Sequence, residues 1–328
     1  MRKRIFNQCI LLINKTSIMV GGQAVINGVM MRVPGFYSTA VRDSNSNIMI
    51  DRHTHKSLVE KYNIQNFPIA RGFIHLIDSM KIGFKTLEWS AEIAEENTSP
   101  PNKIINFLMT LLSISFAIGL FMGVPYLVTE IGLTQYTAYG NNQLIFNCIA
   151  GLMRIIIFLL YLYFISKLKD INCLFQYHGA EHKVVYNFES GDKLSIENAQ
   201  KFSTKHPRCG TSFVFILMLV TMCTYAITDS IIAHFQLIIF TIPTRIIIHL
   251  ILLPVVTGLG YEVLKFLATK QNNLFFSGLS KPGLWLQNIT TNEPSDDQVE
   301  VSIAALKSAF GDDLKQFEGQ TFNADAIG

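Results

Sequence analysis

The chain has 328 residues, 49% of them hydrophobic and only 16% charged, where a soluble domain carries about a quarter charged. Its 27 basic and 24 acidic residues leave a net charge of +3, too small and too scattered for a nucleic-acid surface. Together with a mean hydropathy of +0.31, this excludes a simple cytosolic enzyme, a disordered chain and a disulfide scaffold, and leaves a membrane protein with substantial aqueous parts.

The start, Met1-Arg2-Lys3-Arg4 before an apolar run, imitates a signal peptide. Asn7, Gln8 and Asn14 interrupt that run and no small-residue cleavage site precedes Gly21, so none is expected. The cysteines at 9, 148, 173, 209 and 223 form no CxxC pair and do not read as a disulfide framework. Residues 1–66 read as a β-rich N-terminal domain. Residues 37–42 and 47–52 alternate around Ser44-Asn45-Ser46, a hairpin pattern, and glycines punctuate the apolar stretch 21–32.

Residues 67–103 form the second unit. Pro68 suits a first helical turn, and a helix is expected to run to about Ala94. Phe73, Ile77, Met80, Phe84 and Leu87 fall at helical spacing. Two compatible readings stand: a core-facing helix, or an interfacial helix feeding the first membrane span. His53 and His55, flanking a loop threonine, are read as solvated.

A membrane crossing needs roughly 20 apolar residues. Residues 104–129, ending near Pro125, supply the strongest span; 143–166, 210–228 and 243–266 supply three more. Arg154, inside the second, is by default functional or paired with a buried acid. His249, inside the fourth, reads as a helix–helix hydrogen-bonder, and Asp229 and Arg245 as a pair at the outer ends. Residues 230–242 are too short to cross again. The bundle therefore occupies 104–268, including a loop over 167–208. In the tail, 269–328, Ser295 caps a solvated helix docked on the cytoplasmic domain, whose Val299, Ile303 and Leu306 share a face and which Gly311 closes. Residues 130–143 and 229–244 are nearly free of Lys and Arg, whereas 167–208 carries Lys167, Lys169, Lys183, Lys193, Lys201, Lys205 and Arg208. Both termini and the loop are therefore placed in the cytoplasm. The expected fold is a bundle of about four transmembrane helices with a β-rich N-terminal cytoplasmic domain and a helical cytoplasmic tail.

The loop carries the chemistry. Tyr177-His178-Gly179-Ala180-Glu181-His182 contains H-x-x-E-H, the inverted zinc-protease motif. On a helix, His178 and His182 lie one turn apart on one face, as two imidazole ligands of one zinc must. Glu181 is one step round, where a general base belongs. Gly179 leaves open that the motif begins on a turn. His206 and Cys209 lie at the other end of the loop, and Glu262 at the cytoplasmic end of the fourth span; each is a further candidate ligand. Softness favours Cys209 for a structural site, and a downstream carboxylate, the usual completion of the inverted motif, favours Glu262. Arg208 and Arg32 are candidate oxyanion stabilisers.

Seven ordered motifs, among them Gly21-Gly22-Gln23-Ala24-Val25, Phe67-Pro68-Ile69-Ala70-Arg71-Gly72, His178 to His182, His206-Pro207-Arg208-Cys209-Gly210-Thr211-Ser212, Tyr261-Glu262-Val263 and Pro282-Gly283-Leu284-Trp285-Leu286-Gln287, resemble the YqhQ-like family of bacterial membrane proteins. The resemblance implies a multi-pass protein of the bacterial plasma membrane with a metal-dependent function and no assigned substrate. Where that family usually has an acid, this chain has Asn27, which weakens any ligand or base role there. Two functions follow as expectations. One is a zinc-dependent hydrolase at the cytoplasmic membrane surface, acting on a peptide or lipid-derived substrate. The alternative is a non-enzymatic assembly, transport or interaction factor with a structural metal or none. The bilayer is the expected partner, nucleic acid is not, and a homo-oligomer would be needed to build a channel.

Overall fold

The computed structural model describes residues 20–94, 103–136, 142–269, 274–317 and 319–322. Cys9 and the basic start lie outside them. The protein is mostly helical, with one small antiparallel sheet of β1 (Gly21–Val25), β2 (Gly28–Val33), β3 (Phe36–Arg42) and β4 (Ile48–Thr54) in sequence order. The β1–β2 turn requires left-handed backbone, which Asn tolerates better than other non-glycine residues. Asn27 supplies it at φ 51°, and its carbonyl accepts from the Arg42 N–H at 2.9 Å. Asn27 therefore stands at an exposed hairpin tip, and turn geometry accounts for its presence.

Alternation along β2 sends Val29, Met31 and Val33 to one sheet face and Met30 and Arg32 to the other. After a single-turn helix α1 (Leu58–Lys61), the helix α2 (Pro68–Ala94) covers the Met30 face. It does so with small residues. Gln23 Nε2 donates to Thr86 Oγ1 and Gly83 O at 3.2 Å each, and Ser90 Oγ accepts from the Ile26 N–H at 3.1 Å. The row read as core-facing points away instead: Met80, Phe84 and Leu87 are exposed, and the buried residues of α2 are Gly72, Asp78, Ile82, Thr86 and Ser90. The spacing was legible, but close approach to the sheet selects the small-residue face. His55 also departs from expectation. It follows β4 directly, its N–H donates to the Gly35 carbonyl at 2.8 Å, and its Nε2 lies 3.1 Å from the buried Asp78 carboxylate.

Three helices are long and apolar enough to cross a membrane. The first runs from α3 (Lys103–Ile118) through a π-turn at Gly119–Gly123 into α4 (Val124–Tyr136), so Pro125 starts a new turn and does not end the span. The second is α5 (Gln143–Ile165). After α6 (Lys169–Glu189) and the short α7 (Ile196–Gln200) comes the third, α8 (Gly210–His234), which absorbs the start of the short apolar segment. A fourth candidate is a pair, α9 (Ile242–Ile251) and α10 (Leu253–Thr269), bent by 56° at Leu252.

One buried polar chain ties these helices together. Asp229 accepts from Arg245 Nη1 at 2.5 Å and Asn147 Nδ2 at 2.9 Å, and lies 2.9 Å from His249 Nε2. His249 Nδ1 is 2.5 Å from Tyr126 Oη, which also accepts from Arg154 Nη2 at 3.1 Å. Arg154 Nε donates to Phe121 O, within the π-turn. The expected Asp229–Arg245 pair is present, while Arg154 bonds to two neutral oxygens and not to an acid. Satisfying each group internally is what an apolar surround demands.

On the other side of the bundle, α2 runs beside α10. A Cβ on Gly258 would stand 2.3 Å from Ile69 O, and one on Gly72 2.7 Å from Tyr261 Cβ. Small residues of this kind allow close helix contact. Gly258→Val is expected to force the helices apart at a cost of about 1–3 kcal/mol, read as a lower unfolding midpoint in detergent. An unchanged midpoint would mean that the two helices do not pack here.

The tail holds two helices where one was expected. The first, α11 (Leu274–Thr290), contains Pro282, which masked it in the sequence; the second, α12 (Asp296–Phe310), begins after Ser295, whose N–H donates to Gln298 Oε1 at 2.9 Å. The latter docks as expected, but is more deeply buried than a solvated helix. Val299, Val301, Leu306 and Ala309 are fully buried against α6 and the second sheet face, with Val29, Met31, Val184 and Val185. Arg42 reaches Glu300 at 2.7 Å, and Arg52 donates to the Ala309 carbonyl at 3.1 Å. The sheet is thus sandwiched between α2 and the α6–α12 pair.

Candidate metal centre

His178, Glu181 and His182 lie on α6, which runs as uninterrupted helix through Gly179. Glycine is required there by packing: a Cβ would meet the Asn292 carbonyl at 2.1 Å. With the helix intact, the two imidazoles lie one turn apart, ring centroids 4.5 Å from each other and planes tilted by 58°. Cys209, preceding α8, joins them, with Sγ 3.1 Å from His178 Nε2. One donor atom from each of His178, His182 and Cys209 lies within 4.8 Å of the others.

Each imidazole is held by its other nitrogen. His178 Nδ1 is 2.8 Å from the Thr290 carbonyl of α11, and His182 Nδ1 is 2.5 Å from the Thr204 carbonyl. A carbonyl bonded to Nδ1 fixes the tautomer that leaves the Nε2 lone pair free, the arrangement found around metal-binding histidines. Two oriented imidazoles and a thiol suit a borderline-soft ion such as zinc. Glu181 is buried beside them, with Oε2 3.4 Å from His182 Nε2 and its side chain against Gly22 of β1.

The remaining sequence candidates stand around this cluster or apart from it. His206 is buried, its ring 5.5 Å from that of His182, but it contributes no donor to the group of three. Burial pushes its imidazole below the usual range. Its backbone is gripped by Gln287 of α11, which accepts from the His206 N–H and donates to its carbonyl at 2.8 Å each. Arg208 forms a buried ion pair with Glu189, which fixes the 206–209 turn. Glu262 is engaged elsewhere: Arg71 donates to its two oxygens from Nε at 2.7 Å and Nη2 at 2.5 Å, tying α2 to α10.

Arg32 lies across the sheet, on the α2 face. Its charge reaches His55 and His75, both held below the usual histidine range by burial first and by Arg32 second. A histidine kept neutral by the fold, but protonated near 6.5 when unfolded, makes the unfolded state bind more protons. Stability therefore rises with pH across that window and is lost as pH falls through it. Arg32→Gln is expected to raise both midpoints in an NMR titration and to lessen the acid-side loss. Unmoved midpoints would place Arg32 away from both rings.

Thr204, Thr290, Gln287 and Glu189 were not singled out from the sequence. Three of the contacts run through or to main chain, which has no residue signature; only Gln287, within Pro282 to Gln287, stood in a quoted motif.

Comparison with known proteins places these elements in one family. A family model described as "Protein of unknown function (DUF1385)" matches residues 67–312. That span includes the His178–His182–Cys209 group, Glu181 and α11, and leaves out the sheet with Arg32. The chain is also similar to the uncharacterized protein YqhQ of Bacillus subtilis (strain 168), with 33% identity over 305 residues, covering 87% of this chain and 90% of that protein. No solved structure matches. On both the family match and this relative, the chain belongs to the DUF1385 family of proteins of unknown function.

Proposed function

We propose that this chain is a zinc-dependent hydrolase of the bacterial plasma membrane, with both termini and its site on the cytoplasmic side, acting on a peptide or lipid-derived group at the membrane surface. The observation that carries this reading is the group of His178, His182 and Cys209 with both histidine Nδ1 atoms anchored to carbonyls and Glu181 alongside. His178, His182 and Cys209 hold the ion; Cys209 takes the third place in preference to Glu262, which Arg71 occupies. Bound zinc supplies Lewis acidity and lowers the pKa of water toward neutrality. Glu181, beside the group, would serve as general base and acid for such a water and the leaving group. Buried Arg208 and His206 hold the turn that presents Cys209. Four apolar segments support the membrane placement, and the exposed row of Met80, Phe84 and Leu87 supports an interfacial seat for α2.

A second reading rests on how the cluster joins α6, the turn before α8 and, through Thr290, α11. With Glu181 as a fourth ligand the site would be closed and structural, in a non-enzymatic assembly or transport factor. Glu181→Gln separates the two. Retention of one zinc per chain by this variant, with loss of turnover across a panel of peptide and acyl-ester probes, supports the hydrolase. Loss of the zinc overturns it in favour of the closed site.

A further inference from the structure

A polar cavity of about 390 Å³ opens where α5 ends and α6 begins, closed on its far side by the end of α11 and the residues after it. Its chemistry is one-sided. Lys167, Lys169, Ser166, Asn172, Asn288 and Asn292 line it, and no carboxylate does. Among the described residues neither Lys167 nor Lys169 takes part in an ion pair, although Asp170 follows directly in the first turn of α6. Lys167 Nζ stands over the Tyr163 ring, 5.0 Å from its centroid.

A second observation points to an anion. This 21-residue helix starts at the cavity with Leu168 as its cap, which offers no side-chain oxygen to the first-turn N–H groups. An uncapped N-terminus carries about half a positive charge, and here it adds to two ammonium groups on the same wall. The volume falls within the roughly 300–1,000 Å³ of small-molecule sites.

The rim identifies the kind of anion. Tyr163, Phe164 and Leu168 are exposed beside the opening, as is Trp285 on α11. Aromatic residues at the end of an apolar helix mark the depth of lipid headgroups. The lysine-rich end of α5 faces the cytoplasm on the charge asymmetry of the loops, and basic pockets at that level bind anionic headgroups. We propose that this cavity binds the phosphate headgroup of an anionic glycerophospholipid of the inner leaflet, with the acyl chains lying over the exposed apolar rim. This rests on the membrane placement but not on the zinc reading.

The test is native mass spectrometry and thermal shift of the full chain in detergent with phosphatidylglycerol, phosphatidylcholine or inorganic phosphate. Phosphatidylglycerol is expected to bind and to raise the unfolding midpoint, and phosphatidylcholine is not. Lys167→Gln/Lys169→Gln should weaken phosphatidylglycerol binding about 30-fold, equivalent to about 2 kcal/mol at 1.4 kcal/mol per tenfold. Lys193→Gln/Lys205→Gln, with the same charge change elsewhere in the loop, should leave it unaltered. Equal binding of the two lipids, or equal weakening by both double variants, overturns the proposal. Protection by millimolar phosphate without phosphatidylglycerol binding overturns it in favour of a small-anion site. Zinc content should be the same in every variant, so failure here leaves the hydrolase reading untouched. Recovery of the chain in the soluble fraction without detergent would instead remove the membrane placement.

Discussion

Asp229→Ala is expected to destabilise the chain by about 3–5 kcal/mol, the cost of leaving a buried charge without its partner. Asp229 is fully buried and answers Arg245, Asn147 and His249 together. Its removal takes the hydrogen-bonded carboxylate from the Arg245 guanidinium, itself buried, which the Gln143 side chain also contacts. Tyr126→Phe offers the contrast. It deletes hydrogen bonds but no charge, and interhelical hydrogen bonds among apolar helices average about 0.6 kcal/mol, reaching about 1.7. The charge effect should therefore exceed the hydroxyl effect in detergent unfolding. Asp229→Ala/Arg245→Ala should recover part of the loss, because both charges are then gone. If the single and double variants unfold at the wild-type midpoint, the buried chain does not form.

The second large effect concerns the histidine–cysteine group. Wild-type protein, purified without chelator, is expected to carry about one zinc per chain, and His182→Ala close to none. Cys209→Ser should lose most of its zinc, since a hydroxyl is a far weaker ligand than a thiolate. Chelation should also lower stability, because a ligand present at about 100 times its dissociation constant stabilises the folded state by about 2.7 kcal/mol. The loss should be felt at the junction of α6, α8 and α11, where hydrogen exchange of residues 204–210 and 286–291 would report it. A His182→Ala variant with undiminished zinc would remove the site from consideration.

What could be read beforehand followed from side-chain periodicity and residue chemistry. The apolar runs around Leu112, Ile156 and Leu217, with Arg154 their one interior charge, gave the apolar helices, and the spacing of His178 and His182 placed two imidazoles on one face. Cys209 was a candidate through its place at the other end of the loop and through softness. What could not be read depended on main chain and on approach distance. The carbonyls of Thr204 and Thr290 that orient the histidines have no residue identity. The apolar row of Met80, Phe84 and Leu87 showed a face but not which way it turned, because the sheet-facing choice was made by Thr86 and Ser90. Pro282 concealed α11 by the ordinary rule that proline interrupts a helix. Glu262 was a reasonable ligand until Arg71, nearly two hundred residues away in sequence, proved to hold both its oxygens.

The order of assembly has a consequence for synthesis. The sheet of residues 21–54 emerges first from the ribosome, yet the helices that cover its Met31 face are α6 and α12, the latter ending at Phe310. At about 5–20 residues per second, the nascent sheet waits on the order of tens of seconds while every apolar segment is made. Among the described residues, the helices that cover Val29, Met31 and Val33 arrive with α6, and the cover is complete only with α12. The N-terminal sheet therefore completes its core only after α12 is made, late in the chain.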